Sequence, residues 1–383
     1  MRRASEAERH QLGETFATLC RIESPSGQER ECADWVTAEL VTMGLTVQED
    51  ESGPAAGSDA GNLLARLEGR SGQTILICAH LDTVPLTAPV EPIVTGGGWE
   101  NAYEAILGAD NKAAVAVALE LARRLTGNDE APEVGLELLF TVCEEVALRG
   151  AAAFDVGRLS SPFGYVFDHA SPIGEVVLAS PTYYRVEADV LGRSAHAGIR
   201  PENGRSAIQA ASRAIAAMPL GRLDAETTAN VGKIAGGTNT NVVPERCRVE
   251  AEARSLAQGR AEEVATQLVD HLQEAADAGE CDLDVTVQRM FDGYRVRSRE
   301  PMVNLAERAL RVCGFEPRPI VTGGGSDANA LMSSGFQCTN LANGTERNHE
   351  PGERVSVDAL EGMLEVAIAL LEEAPAVIGE VPG

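Results

Sequence analysis

Lysine is almost absent: Lys112 and Lys233 are the only two in 383 residues, and no basic run occurs. Phosphate neutralisation needs clustered Lys and Arg, so a general nucleic-acid binder is excluded. No apolar run reaches the roughly 18 residues that a membrane helix needs. The start, MRRASEAERH, turns charged where a signal peptide would turn apolar. The expectation is a soluble cytoplasmic protein with no membrane and no nucleic-acid partner. Cysteine is also sparse: eight residues without a CxxC pair make no disulfide scaffold. Cys78 and Cys143 sit in apolar strand-like runs and read as small buried hydrophobes. There are only six histidines, which makes the setting of each one informative.

What is abundant is acid. The chain carries 58 Asp and Glu against 32 Lys and Arg, a net charge of −26, which serves solubility and disfavours anionic partners. The hydrophobic content of 44% is enough for a sizeable core. At about 150 residues per domain, the length suggests two or three domains. Two helices are expected over 5–43, parted by the turn SPSG (24–27). Strands are expected over 62–69, 74–80, 134–143 and 164–168, with a helix over 110–125. This alternation points to an α/β domain with a largely parallel sheet. Near residue 179 the pattern changes. Half-exposed strands at 183–192, 242–255 and 281–290 alternate with helices at 206–218 and 259–277, which suits a small α+β domain of the β-α-β-β-α-β type with an antiparallel sheet. The first pattern resumes near 293, with a helix at 299–312, a strand at 318–322 and a final helix at 356–373. The chain therefore reads as a discontinuous α/β domain, 1–178 and 293–383, with a second domain inserted at 179–292.

Five segments place acids or histidines where buried strands end. ICAHLDTVP (77–85) delivers His80 and Asp82, two residues apart and so on one face of an extended chain. LGADNKAAVA (107–116) sets Asp110 at a helix start. LLFTVCEEVALRG (138–150) ends on Glu144 and Glu145, YVFDHAS (165–171) carries Asp168, and RNHEPGERV (347–355) carries His349. In open α/β sheets ligands bind outside the carboxyl ends of the strands, where all five could converge. Alone, each piece reads blandly: a surface pair, a solvated face, a helix cap, a turn residue. Together they make a donor set for two zinc ions, because unpaired buried charge is costly. Asp110 would bridge, His80 and Asp168 would hold one ion, and Glu145 and His349 the other. Asp82 would orient His80, and Glu144 would take a proton from water and pass it to the leaving amine. Co²⁺ and Mn²⁺ accept the same donors.

HLDTVP, GADNKAA, CEEVALRGA, FDHAS, SAHAG, TNTNVVPE and NHEPGE, in this order over roughly residues 15–370, resemble the dizinc metallopeptidases that include peptidase T, glutamate carboxypeptidase and acetylornithine deacetylase. The resemblance implies a phosphorylase/hydrolase-like α/β catalytic domain with an inserted α+β lid or dimerisation domain. By motif, its metal ligands fall on His80, Asp110, Glu145, Asp168 and His349, and its catalytic acids on Asp82 and Glu144. GADNKAA and the aspartate at 168 look closest to the peptidase T branch. His169 departs from the pattern. The resemblance also implies that His196 in GRSAHAG reaches a neighbouring subunit's site and polarises the scissile carbonyl, which makes a homodimer the expected state. Asn241 and Arg254 match substrate-contact positions. In GGGSDANAL (323–331), the backbone at Gly324 suits close approach to a peptide, and Asp327 suits a substrate amine. The expected activity is exopeptidase hydrolysis of small peptides, an aminopeptidase of the peptidase T type. The alternatives are an N-acyl amino acid deacylase or a catalytically silent metal-binding scaffold.

Overall fold

The structure, a computed structural model, describes residues 3–127 and 130–378. Within them the chain divides into two compact units, 1–179 with 295–383, and 180–294 between.

In the first unit the middle of the main sheet consists of Gly135–Thr141, Thr74–His80, Gly164–His169 and Cys338–Ala342, side by side in that order and parallel. Every residue of TILICAH and of GLELLFT is buried. Strands covered on both faces lose the alternation of a half-exposed strand and read as unbroken apolar runs. Glu137 is tolerated inside one of them because Arg66 pairs with it at 2.6 Å and Ser161 N–H and Oγ donate to it. Leu63–Leu67 and Val47–Glu49 extend one side antiparallel. On the other side Glu175–Ser180 runs antiparallel to Cys338–Ala342. No strand was expected at Cys338–Ala342: five residues containing Thr339 and Asn340 show no legible period. Their polar groups are used in tertiary bonds, Thr339 Oγ1 to the Val177 carbonyl and Asn340 Oδ1 to the Asp168 N–H.

Ala109–Thr126 packs on Thr74–His80 and against helices Glu6–Arg21 and Val357–Glu373. Its alanines and valines are small enough for close approach, and 14 of its residues are buried. The parallel register sets His80 level with Thr141, so the sheet's carboxyl end gathers the turns that follow these strands.

The second unit is an antiparallel sheet in the order Gly221–Arg222, Thr227–Gly236, Arg246–Ser255, Thr182–Leu191, Asp282–Phe291. Arg246–Ser255 alternates strictly, with Cys247, Val249, Ala251, Ala253 and Ser255 inward. Helices Ala207–Ala217 and Arg260–Ala278 contribute Ala211, Leu268 and Leu272 to the same core. The sheet's other face carries charge. Thr227–Gly236 completes the β-α-β-β-α-β order; its glycines and its largely exposed second half hide it from a reading by periodicity. The architecture is thus an α/β domain with an inserted α+β domain.

Candidate metal centre

The turns at the carboxyl end of the parallel strands bring seven of the sequence-singled residues together. His80 ends its strand. Its Nδ1 lies 2.9 Å from the Asp82 carbonyl, which turns Nε2 toward Asp110 Oδ1 at 3.4 Å and Asp168 Oδ1 at 3.6 Å. His349 Nε2 faces the other oxygen of Asp110, Oδ2, at 3.3 Å, and Glu145 Oε1 at 2.9 Å. Two three-donor sets therefore share Asp110: His80 with Asp168, and Glu145 with His349. A third set joins His80, Glu144 and Glu145; within each, the donor atoms lie within 4.8 Å of one another.

The three longer distances bear on shared ligation. Two ligands about 2.0–2.1 Å from a tetrahedral zinc stand about 3.3–3.5 Å apart. The 3.3, 3.4 and 3.6 Å separations are long for hydrogen bonds and close to that spacing, whereas His349 Nε2 to Glu145 Oε1 at 2.9 Å is an ordinary hydrogen-bond distance. Asp110 Oδ1 is buried without a hydrogen-bond partner. An orphaned carboxylate oxygen costs free energy unless a cation occupies its lone pair. Imidazole nitrogen and carboxylate oxygen suit zinc, cobalt and manganese alike. The residues present fit a metal.

The electrostatics of the metal-free centre lead to the same need. Burial lowers the pKa of His80, but Asp110, Asp168 and Asp82 around it raise it further, to well above the usual imidazole range. Donation from its ring N–H to the Asp110 and Glu145 carboxylates pushes His349 up to about 10. Burial would raise Asp110, yet the two imidazoles hold it well below the usual carboxylate range. Glu144 and Asp168 are driven well above it, by burial first and by a neighbouring carboxylate second.

Asp82 does more than sit beside His80. Its Oδ1 accepts the Glu144 N–H at 2.9 Å and its Oδ2 the Glu145 N–H at 3.1 Å, so one carboxylate holds the whole Glu144–Glu145 turn. Ser26 donates to the same Oδ2 at 2.7 Å, and Glu29, fully buried, takes the Cys143 N–H at 3.0 Å. Glu353 accepts the N–H groups of Leu107, Gly108 and Asp110, and Asn348 donates to Asp110 Oδ2. Sequence reasoning missed Ser26, Glu29, Glu353, Asn348 and Asn340. The usable signals were an acid just after the SPSG turn and the Asn and second Glu of NHEPGE.

Asp110 departs from the helix-start reading. Gly108, at φ 76°, precedes the helix, and Asp110 itself is extended at ψ 103°, so its side chain leaves the helix and enters the centre. His169 pairs with Glu175 at 3.6 Å. Asp327 is 1% exposed; its Oδ2 takes Thr141 Oγ1, and its Oδ1 has no hydrogen-bond partner. Gly324 N–H donates to Thr322 Oγ1. The other three candidates lie in the second unit. His196 is exposed, with its Nδ1 accepting the Gly198 N–H, and the Asn241 carbonyl takes the Ala197 N–H. Arg254 pairs with Glu252 and stacks 4.3 Å over the Tyr183 ring.

Residues 182–280 match the peptidase dimerisation domain, and residues 62–168 match peptidase family M28. Uncharacterized protein YqjE of Bacillus subtilis (strain 168) is 36% identical over 95% of this chain and 98% of its own. The crystal structure of aminopeptidase PepT from Bacillus cereus ATCC 10987 superposes with a TM-score of 0.85 at 36% identity, covering 96% of this chain and 99% of that one. A tripeptidase from Staphylococcus aureus subsp. aureus mu50 gives 0.89 at 31% identity, covering 95% and 98%.

Proposed function

We propose a catalytic mechanism from one premise: this chain belongs to the peptidase T-like family of M20 metallopeptidases, and it is a metal-dependent exopeptidase of small peptides. The observation that carries the mechanism is Asp110, whose two oxygens face two different imidazoles, each with one further carboxylate. Asp110 would be shared between two divalent ions, zinc by donor type, with His80 and Asp168 as the further donors to one and Glu145 and His349 to the other. Bound zinc lowers the pKa of a water and polarises the scissile carbonyl. Glu144 takes the proton from the attacking water and delivers it to the leaving amine. Asp82 holds His80 through its carbonyl and the Glu144–Glu145 turn through its carboxylate.

His196, Asn241 and Arg254 act on the substrate from the second unit, His196 as a donor to the carbonyl oxygen. The dimerisation-domain match supports a homodimer, and His196 is proposed to serve the partner subunit's centre. The Gly324 loop takes the peptide backbone. Asp327 does not serve as the expected contact to a substrate amine: it is 1% exposed and accepts a hydrogen bond from Thr141 Oγ1, which makes it a buried support of the strand end. A cytoplasmic location is supported by eight free, buried cysteines, and no helix among the described residues is long and apolar enough to cross a membrane. The deacylase and silent-scaffold readings are not favoured: the solved PepT aminopeptidase and tripeptidase match over nearly their full length, and no donor position or base is missing.

Chelation should abolish tripeptide hydrolysis, and Zn²⁺, Co²⁺ or Mn²⁺ should restore it. Glu144→Gln should keep its metal and lose about 10²–10⁴-fold in turnover. Unchanged turnover in that variant would remove Glu144 as the base. His196→Ala should slow turnover with metal content intact, and loss of metal would contradict its placement.

A further inference from the structure

Residues 347–353 form the loop of a hairpin whose arms, Thr345–Glu346 and Arg354–Ser356, pair antiparallel. This loop carries His349, but it also touches Asp110 at two other points. Asn348 Nδ2 donates to Asp110 Oδ2 at 2.7 Å. Glu353 accepts the Asp110 N–H at 2.8 Å on Oε1, and the Leu107 and Gly108 N–H groups at 2.9 and 2.8 Å on Oε2. Glu353 is 1% exposed, and these three amide N–H groups are its hydrogen-bond donors. A carboxylate accepting three N–H groups fixes a backbone segment more firmly than any neutral side chain of its size.

The loop's own backbone is under strain. Arg347 and His349 adopt φ of 59° and 67°, the left-handed region that non-glycine residues rarely occupy. Such a conformation persists only where the surroundings over-determine it. The contacts to 107–110 supply that determination from 240 residues away in sequence.

We infer that Asn348 and Glu353 are positioning residues that clamp Asp110 at its side chain and its backbone, and so set the plane in which its carboxylate bridges. The clamp makes the two metal positions interdependent. Without Asn348 the carboxylate is free to rotate about its last bond, so that one oxygen leaves its imidazole. Without Glu353 the 107–110 turn and the His349 loop separate, which moves the bridge and a terminal ligand together. Glu353 belongs to none of the donor sets. The inference rests on the metal reading above.

The test measures metal, not turnover. Wild type, Asn348→Ala, Glu353→Gln and the control Arg318→Ala are stripped and titrated with Co²⁺, following stoichiometry by mass spectrometry and coordination by visible absorption. Loss of an outer contact to a ligand weakens metal affinity about 10–100-fold. Both clamp variants should show that loss and an altered cobalt spectrum, while the control matches wild type. Asn348→Asp, which keeps size but repels Asp110, should be weaker than Asn348→Ala. Circular dichroism of the stripped proteins checks folding; if Glu353→Gln does not fold, the two Asn348 variants decide the question. Wild-type affinity and spectrum in both Asn348 variants would overturn the clamp. Failure of wild type itself to bind cobalt would instead overturn the metal reading.

Discussion

The molecule handles charge in two opposite ways. On the outward face of the second unit's sheet, acids and bases alternate across strands. Arg248 lies 2.9 Å from Glu187, 3.0 Å from Glu250 and 3.4 Å from Asp189; Arg246 meets Asp189 at 3.0 Å, and Arg185 meets Glu187 at 2.6 Å. Those charges are solvated and self-neutralising, and exposed pairs of this kind contribute little to stability. At the centre of the first unit, Asp82, Asp110, Glu144, Glu145 and Asp168 converge with burial. Among the described residues, the only cationic side chains within 4 Å of any of them are the imidazoles of His80 and His349. The difference is functional. A surface lattice satisfies itself, whereas a buried acid cluster with two imidazoles is a half-finished neutralisation that a divalent cation completes.

The sharpest way to break this comparison is to remove the shared carboxylate. Asp110→Asn should lower metal affinity by about 10²-fold or more, with stoichiometry below one ion per chain and peptide hydrolysis lost. Retention of two ions would mean that the bridge lies elsewhere. The next effect is on pH dependence. In the chelated protein, burial raises Asp327 to about 6 and Glu353 to about 7, and hydrogen bonds that His349 donates to the Asp110 and Glu145 carboxylates raise it to about 10. The folded state therefore holds these protons to higher pH than the unfolded chain does. Their contribution to stability is complete below the unfolded values, about 4 for the acids and about 6.5 for histidine, and is lost as pH rises through the folded ones. The melting temperature of the stripped protein should fall from about pH 5 to about pH 9, and saturating Zn²⁺ should flatten that slope. A stripped protein that gains stability over this range would contradict the assignment.

The smallest effect belongs to the second unit. Arg248→Ala should shift the melting temperature by no more than about 3 °C, whereas Leu268→Ala, in the fully buried core of that unit, should cost about 2–5 kcal/mol in denaturant unfolding. A large loss from the arginine would show that the surface lattice carries structure after all.

Much of the donor set was legible because its local signals are strong. Apolar strands such as TILICAH end abruptly on polar residues, and charge at the end of a buried strand needs a partner. Asp110 was legible as a residue but not as a conformation: GADNKAA reads as a helix start, while the structure turns Asp110 out of the helix toward His80 and His349. Glu29, Asn348 and Glu353 were not singled out because each contacts backbone or a carboxylate whose partner lies 114, 238 or 243 residues away. No local period or motif spacing encodes such a pairing. The strand at Cys338–Ala342 was hidden for a related reason, since its polar residues are satisfied only by neighbours brought in by the sheet.

By itself, the sequence determined which segments are buried, where they stop and what chemistry stands at their ends, because hydrophobic period and side-chain donors are local properties. Only the tertiary structure decided that Asp110 presents one oxygen to each imidazole and that Asp82 grips two backbone N–H groups. Those outcomes depend on how parallel strands align and how a distant hairpin loop docks, and angstrom-level placement of donors arises from packing that no single segment contains.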